Sequence, residues 1–440
     1  MRILDWNFLS VTQRDQALRR PAQQHATATQ AAAQAIIAAV RRDGDAAVQA
    51  LTEKFDAVRP SGVRVTTQEF GFAEGSLSAP QIVAIERAIA AVRQFHSAQT
   101  AAPLRMETAP GVMCERFSVP IHAVGLYVPA GVAPLPSTAV MLGVPAVLAA
   151  CPVRVMCTPP NRAGAADPSV LVAARKSGID QVFKVGGAQA IAAMAYGTET
   201  IPKCDKIFGP GNAFVTAAKL LVAQDPAGAA VDLPAGPSEV MVIADDSARA
   251  EFLAADLLAQ AEHSADAQSL LVTTSLSLAA AVAEHVRHQA ACLSRADILA
   301  KSLEHMRLLV VDTLEIAFQI ANTYAPEHLL LEIREPRRWL GHVRAAGAVF
   351  LGHWSPESIG DYCGGPNHTL PTYGYAKAYS GLALEDFQKR ITVQELTPAG
   401  LRELGPTAQI LAGLEGLDAH AAAVTIRLAA IQAAAAGGAR

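Results

Sequence analysis

The stretch Ala123-Val-Gly-Leu-Tyr-Val128, closed by Pro129, decides the fold. It is short and apolar throughout, and a stretch of helical length follows it at 137–149. A run of this kind reads as a strand buried on both faces. The same couplet recurs downstream. Residues 154–157, 181–185, 205–208 and 230–233 read as strands, with helices over 168–176, 188–195 and 213–223 between them. Strands that alternate with helices imply βαβ units and a parallel sheet.

The rhythm resumes after Pro234-Ala-Gly-Pro-Ser238. Glu239-Val-Met-Val-Ile243 is a strand, and an apolar helical run leads from it to Gln260 and His263. Strands at 270–273, 308–312 and 347–351, with helices at 276–288 and 314–322, complete a second unit. Upstream, Ala33, Ile36, Ile37 and Val40 recur at helical spacing, as do Val48, Leu51 and Phe55. These read as helices covering the second unit. The expected fold is α/β: two Rossmann-like units with parallel sheets, plus small helical N- and C-terminal appendages. The expected division is an appendage at 1–25, a discontinuous first α/β domain from 26–122 and 237–380, a second α/β domain at 123–236, and a helical arm at 381–440. Ligands of such sheets bind beyond the C-terminal ends of the strands.

Composition narrows the function. Of 440 residues, 51% are hydrophobic and the net charge is −4, which disfavours nucleic acid and anionic membrane surfaces as partners. Met1-Arg-Ile-Leu-Asp-Trp-Asn has no signal-peptide character. The longest apolar run, 138–151, is too short to span a bilayer and contains Pro145. A cytoplasmic location is expected. The six cysteines form no C-x-x-C pair, so a zinc ribbon or dithiol motif is not expected.

Three features carry chemistry. Gln260 and His263, three apart at a helix end, project from one face, where a carbonyl oxygen and an imidazole nitrogen can hold a divalent metal. Asp361, His368 and His420 are further candidate ligands. Second, Tyr324-Ala-Pro-Glu327-His328 places two titratable groups at the start of an apolar strand. Adjacent residues of an extended segment point opposite ways, so the two are expected to serve different tasks. Third, Val185-Gly-Gly-Ala-Gln189-Ala and Phe208-Gly-Pro-Gly-Asn212-Ala each follow a strand and open a helix, where backbone N–H groups can receive phosphate. Tight βα turns account for them equally well. These readings leave both an oxidoreductase and a zinc-dependent hydrolase open.

From about residue 30 to 430 the chain resembles the histidinol dehydrogenase family. The motifs that carry the resemblance are Val-Gly-Gly-Ala-Gln-Ala, Ile-Phe-Gly-Pro-Gly-Asn-Ala-Phe-Val, Pro-Ala-Gly-Pro-Ser-Glu-Val, Gln-Ala-Glu-His, Pro-Glu-His-Leu, and Ser-Pro-Glu-Ser-Ile-Gly-Asp-Tyr through Asn-His-Thr-Leu-Pro-Thr. The resemblance implies an NAD-dependent alcohol and aldehyde dehydrogenase of histidine biosynthesis that takes L-histidinol to L-histidine through a bound aldehyde. It implies one zinc per subunit on Gln260, His263, Asp361 and His420, with Glu327 and His328 as the acid–base pair. Ser238, His368 and Glu415 would contact substrate, together with His328 and the zinc ligands. Tyr127, Gln189 and Asn212 would bind NAD, which assigns the 123–236 domain to the cofactor. It further implies a homodimer in which the C-terminal arm, with Glu415 and His420, reaches the partner's site. The nearest rival within the family is a zinc- and NAD-dependent dehydrogenase acting on another amino or sulfonated alcohol.

Overall fold

The computed structural model describes residues 1–21, 26–130, 133–234 and 236–437. The ends of the 1–25 and 381–440 assignments, at 22–25 and 438–440, therefore lie outside the described residues. The chain forms two compact units: Met1–Gln99 with Ile121–Phe387, and Thr100–Pro120 with Gln388–Arg440.

The first unit is built on two parallel sheets, as the alternation of strands and helices requires. The five-stranded sheet has the spatial order Gln181–Lys184, Val153–Thr158, Ala123–Tyr127, Lys206–Phe208, Ala230–Val231. Its first strand is therefore central, and the winding reverses between Ala123–Tyr127 and Lys206–Phe208. The six-stranded sheet has the order Arg2–Asp5, Arg307–Val310, Gln268–Thr273, Glu239–Ala244, His328–Glu332, Ala348–Leu351. Here the reversal falls between Glu239–Ala244 and His328–Glu332, paired with His328 opposite Val240. Every residue of these two strands is buried. Burying a single Val or Leu is worth about 1.5–3 kcal/mol, so the two strands form a stiff spine for whatever their ends present.

Two expectations change. The N-terminal helices do not cover the later sheet. Helix Ala26–Asp56 packs on Gly187–Tyr196 and Ala213–Gln224, and helix Ala79–Ser97 packs on Pro136–Leu148, all belonging to the five-stranded sheet. Ile36, Ile37, Val40 and Val48 share one core with Ile191 and Val215. The apolar stripe was legible, but a stripe does not say which sheet it faces. The N-terminal segment, which has no period, supplies the edge strand Arg2–Asp5, paired in parallel with Arg307–Val310.

The second unit holds an antiparallel sheet in the order Gln388–Leu396, Val112–Pro120, Leu104–Ala109. Helices Pro398–Leu414 and Asp418–Gly437 follow and pack on each other. The segment after residue 383 is thus a strand before it is helical, and 104–120, expected within the first α/β domain, pairs with that strand as a hairpin. Among the described residues no helix is long and apolar enough to cross a membrane.

Candidate active site

The candidate acid–base pair, Glu327 and His328, stands at the N-terminal end of the strand His328–Glu332, not beyond a C-terminal end as the fold rule suggests. Ala325 adopts a left-handed conformation (φ 54°) that ends helix Leu314–Tyr324, and Pro326 then leads directly into Glu327. Glu327 immediately precedes the strand, and its carbonyl continues the pairing by accepting from Ala348 N at 2.8 Å. Its carboxylate lies 3.7 Å from His328 Nδ1, and both side chains are buried.

Glu239, at the start of the adjacent strand, organises the pair through its backbone. Its N–H donates to Glu327 Oε2 at 2.8 Å, and its carbonyl lies 3.4 Å from His328 Nδ1. Glu357, on helix Glu357–Tyr362, places a carboxylate oxygen 3.6 Å from the same nitrogen. The Glu239 carbonyl can only accept, so Nδ1 carries a proton. Nε2 points to Asp361, 3.4 Å away.

The electrostatics are unusual for an interior. Burial pushes the Glu327 carboxyl up to about 8, against the lowering effect of His328. Burial also holds Glu357 well above the usual carboxyl range. Burial opposes charge on His328, yet the Glu357, Glu327 and Asp361 carboxylates outweigh it and raise the ring to about 10. Asp361 is pulled the other way: the bond to His328 and the nearby charges overcome desolvation and hold it below its ordinary value. Groups pushed apart in this way mark a functional site.

One ligand atom each from His263, Glu357 and Asp361 lie within 4.8 Å of one another. Gln260 is fully buried in the last turn of helix Ala250–Ala261, and His263 lies two residues beyond that helix. Oriented so that each atom meets its complement, the Gln260 amide donates to Glu357 and its carbonyl accepts from Glu239 N at 2.6 Å. An imidazole and two carboxylates at this spacing could hold a divalent cation. Glu357 was not among the sequence candidates. Its signals are its place in the family motif Ser355-Pro-Glu-Ser-Ile-Gly-Asp-Tyr362 and an acidic residue opening a helix after Ser355-Pro356.

His368 uses both ring nitrogens. Nδ1 meets the Asp361 carbonyl at 2.9 Å and Nε2 the Thr138 hydroxyl at 3.3 Å. A carbonyl only accepts, so Nδ1 donates and the ring is a neutral brace for the Asp361 turn. Ser238 immediately precedes Glu239 and is half-buried. Glu415 and His420 belong to the second unit, where both are exposed near the turn between its two helices.

The two glycine turns do follow strands and open helices, at the C-terminal ends of the five-stranded sheet. Tyr127, on its central strand, accepts the Gly187 N–H on its hydroxyl at 3.0 Å. Gln189 is buried in the helix so opened. Asn212 caps the next helix, accepting from Phe214 N and Val215 N, each at 3.1 Å. Gly209 has φ +119°, and an added Cβ would lie 2.2 Å from the Tyr127 carbonyl. That close approach demands glycine whatever binds there. The second turn adjoins the point where the winding reverses, the usual seat of a dinucleotide, while the first follows the edge strand Gln181–Lys184 and meets the central strand through the Gly187–Tyr127 bond.

The sequence profile of the family described as histidinol dehydrogenase matches residues 18–428. The chain belongs to the histidinol dehydrogenase family. It is 54% identical over 428 residues to histidinol dehydrogenase of Xanthomonas campestris pv. campestris (strain 8004), covering 97% of this chain and 99% of that one. It is 52% identical over 432 residues to the Vibrio cholerae enzyme, covering 98% and 99%. The crystal structure of histidinol dehydrogenase from Elizabethkingia anophelis superposes with a TM-score of 0.93 at 42% identity, over 98% of this chain and 99% of that one. The expected α/β class with parallel sheets is borne out, and with it membership of an oxidoreductase family.

Proposed function

We propose that the chain oxidises L-histidinol to L-histidine in two successive hydride transfers to NAD, with zinc gripping the substrate. What carries this reading is the convergence, on one strand end, of Glu327, His328 and the Asp361 cluster in a chain of this family. Zinc, when held by Gln260, His263, Asp361 and the partner chain's copy of His420, supplies positive charge that binds the substrate's imidazole and amine and offsets the negative field on His328. NAD, when bound at the reversal point of the five-stranded sheet by Tyr127, Gln189 and Asn212, accepts the hydride.

The protein's residues then do the proton work. His328 Nε2 takes the alcohol proton as the carbinol hydride leaves. The aldehyde stays in place because it is reactive and still carries the imidazole and amine contacts. Glu327 takes a proton from water as that water adds to the aldehyde carbon. The resulting hydrate anion loses its hydride to give the carboxylic acid, which ionises. Across both steps one L-histidinol, one water and two NAD give one L-histidine, two NADH and three protons. Ser238, His368 and Glu415 are assigned to the substrate's polar groups, and homodimerisation brings the last of these to the site.

The test is NADH formed per L-histidinol consumed, with zinc-loaded protein and excess NAD. Two per substrate with histidine as product establishes the reading. One per substrate with released aldehyde removes Glu327 from the activation of water. No NADH, with zinc bound, turns the assignment to other amino or sulfonated alcohols.

A further inference from the structure

We propose that Arg20 is a positioning residue for the acid–base pair, tying together the three segments that hold Glu239, Glu327 and Tyr373 in place. The inference rests on Glu327 and His328 carrying the reaction. Arg20 touches neither of them. Its Nε and Nη2 both bond the buried Glu239 carboxylate, with Nη2 to Oε2 at 2.9 Å. Nη2 also donates to the Tyr324 carbonyl at 2.8 Å, and the guanidinium lies 3.9 Å from the centre of the Tyr324 ring.

The three segments matter because each leads into the site. Tyr324 is followed by left-handed Ala325, then by Pro326, Glu327 and His328. Glu239 binds Glu327 through its N–H and faces His328 with its carbonyl, so a shift of its backbone moves both. Tyr373, itself left-handed at φ 55°, donates its N–H to Glu239 Oε1 at 3.0 Å. Left-handed non-glycine residues persist only where their surroundings hold them, and Arg20 lies against the neighbours of both. Its segment is itself fixed. Gln268 Nε2 donates to the Arg19 carbonyl at 3.2 Å, and Tyr324 Oη donates to Gln268 Oε1 at 2.9 Å.

Charge gives Arg20 a second reason to be there. Glu239 is a further buried carboxyl in this part of the protein, and Arg20 is the cation paired with it. Without that cation its carboxylate would be uncompensated and would protonate or move. A lysine restores the charge but not the planar fork that spans a carboxylate and a carbonyl at once.

The experiment compares Arg20→Gln, Arg20→Lys and Arg14→Ala, in zinc-loaded protein normalised to folded enzyme. Arg14 anchors the same segment further out, on the Trp6 carbonyl at 3.2 Å. Arg20→Gln should lower kcat about 10- to 100-fold, with KM for L-histidinol moving less than about threefold, because small misplacements of catalytic groups cost this much. Arg20→Lys should recover part of that loss, and Arg14→Ala should keep wild-type kcat. Unchanged kcat in Arg20→Gln overturns the inference, and so does an equal loss in Arg14→Ala. An inactive wild type would defeat the functional reading instead. The positioning would then be read from the 15N resonances of the His328 ring, which Arg20→Gln should move and Arg14→Ala should not; no shift overturns it.

Discussion

The backbone N–H of Glu239 donates to the Glu327 carboxylate across 2.8 Å. The bond ties the candidate base to a residue whose own side chain faces away, toward Arg20 and Tyr373. An amide oxygen at position 327 can accept the same bond, so Glu327→Gln removes the proton acceptor and leaves the geometry. The aldehyde-to-acid step should fall by about 10²–10⁴-fold, the usual worth of a general base, and the alcohol step by much less. Separate rates from L-histidinol and L-histidinaldehyde check this; equal losses would remove Glu327 from water activation.

Glu357 tests how the metal is held. It accepts the Gln260 amide and so orients a proposed ligand, although its own oxygen lies within the cluster. Outer-shell partners of this kind typically cost 10–100-fold in metal affinity when changed. Glu357→Gln should bind zinc stoichiometrically at saturation, with affinity about 10- to 100-fold weaker. His263→Asn should bind none under the same conditions. Zinc titration distinguishes the roles: a metal-free Glu357→Gln would make Glu357 a ligand in its own right.

These two acids show where sequence reasoning ends. The sheets were legible because strands buried on both faces, such as Glu239–Ala244 and His328–Glu332, are nearly continuous apolar runs. Glu327, His328 and Gln260 were legible because they interrupt or terminate such runs with groups that have chemistry of their own, whereas Asp361 lies in the polar, glycine-rich stretch after Leu351 and drew its assignment from the family motif. Glu357 and Glu239 were not, since their roles exist only once the helix at 357–362, the helix ending at 261 and two strand starts meet. Arg20 sits in a segment without period, and its partner is 219 residues away. The strand Gln388–Leu396 is largely exposed and alternates only weakly, so its pairing with Val112–Pro120 left little trace.

Asp256 gives the pH dependence of stability. It is one helical turn before Gln260 and 6% exposed, and burial raises it to about 7, with Glu332 on the facing strand adding to the effect. Glu332 is itself paired with His353, and Asp256 in turn adds to the raising of Glu357. A carboxyl raised in the folded state favours folding most when protonated in both states, below the ordinary value of 3.8. That advantage is lost as pH rises from about 4 to about 7, on the order of 4 kcal/mol in all. Asp256→Asn should therefore raise the melting temperature at pH 8, with the gain shrinking toward pH 5. A gain independent of pH would show that Asp256 is not the titrating group.

Glu415 and His420 are exposed in the second unit, on a chain whose other candidate ligands are in the first. If each site of the homodimer draws His420 from the partner, His263→Asn and His420→Asn homodimers should both be inactive. A mixed dimer then holds one site carrying both substitutions and one carrying neither. Unfolding and refolding the two variants together at equal concentration should give half of the protein as mixed dimers, each with one intact site, and so about one quarter of wild-type activity. Activity no higher than that of the separate variants would mean that each site is built from one chain. Zinc bound per mixed dimer, measured alongside, separates failure of exchange from failure of catalysis: one zinc with no NADH would locate the defect in the proton-transfer residues rather than in the arm.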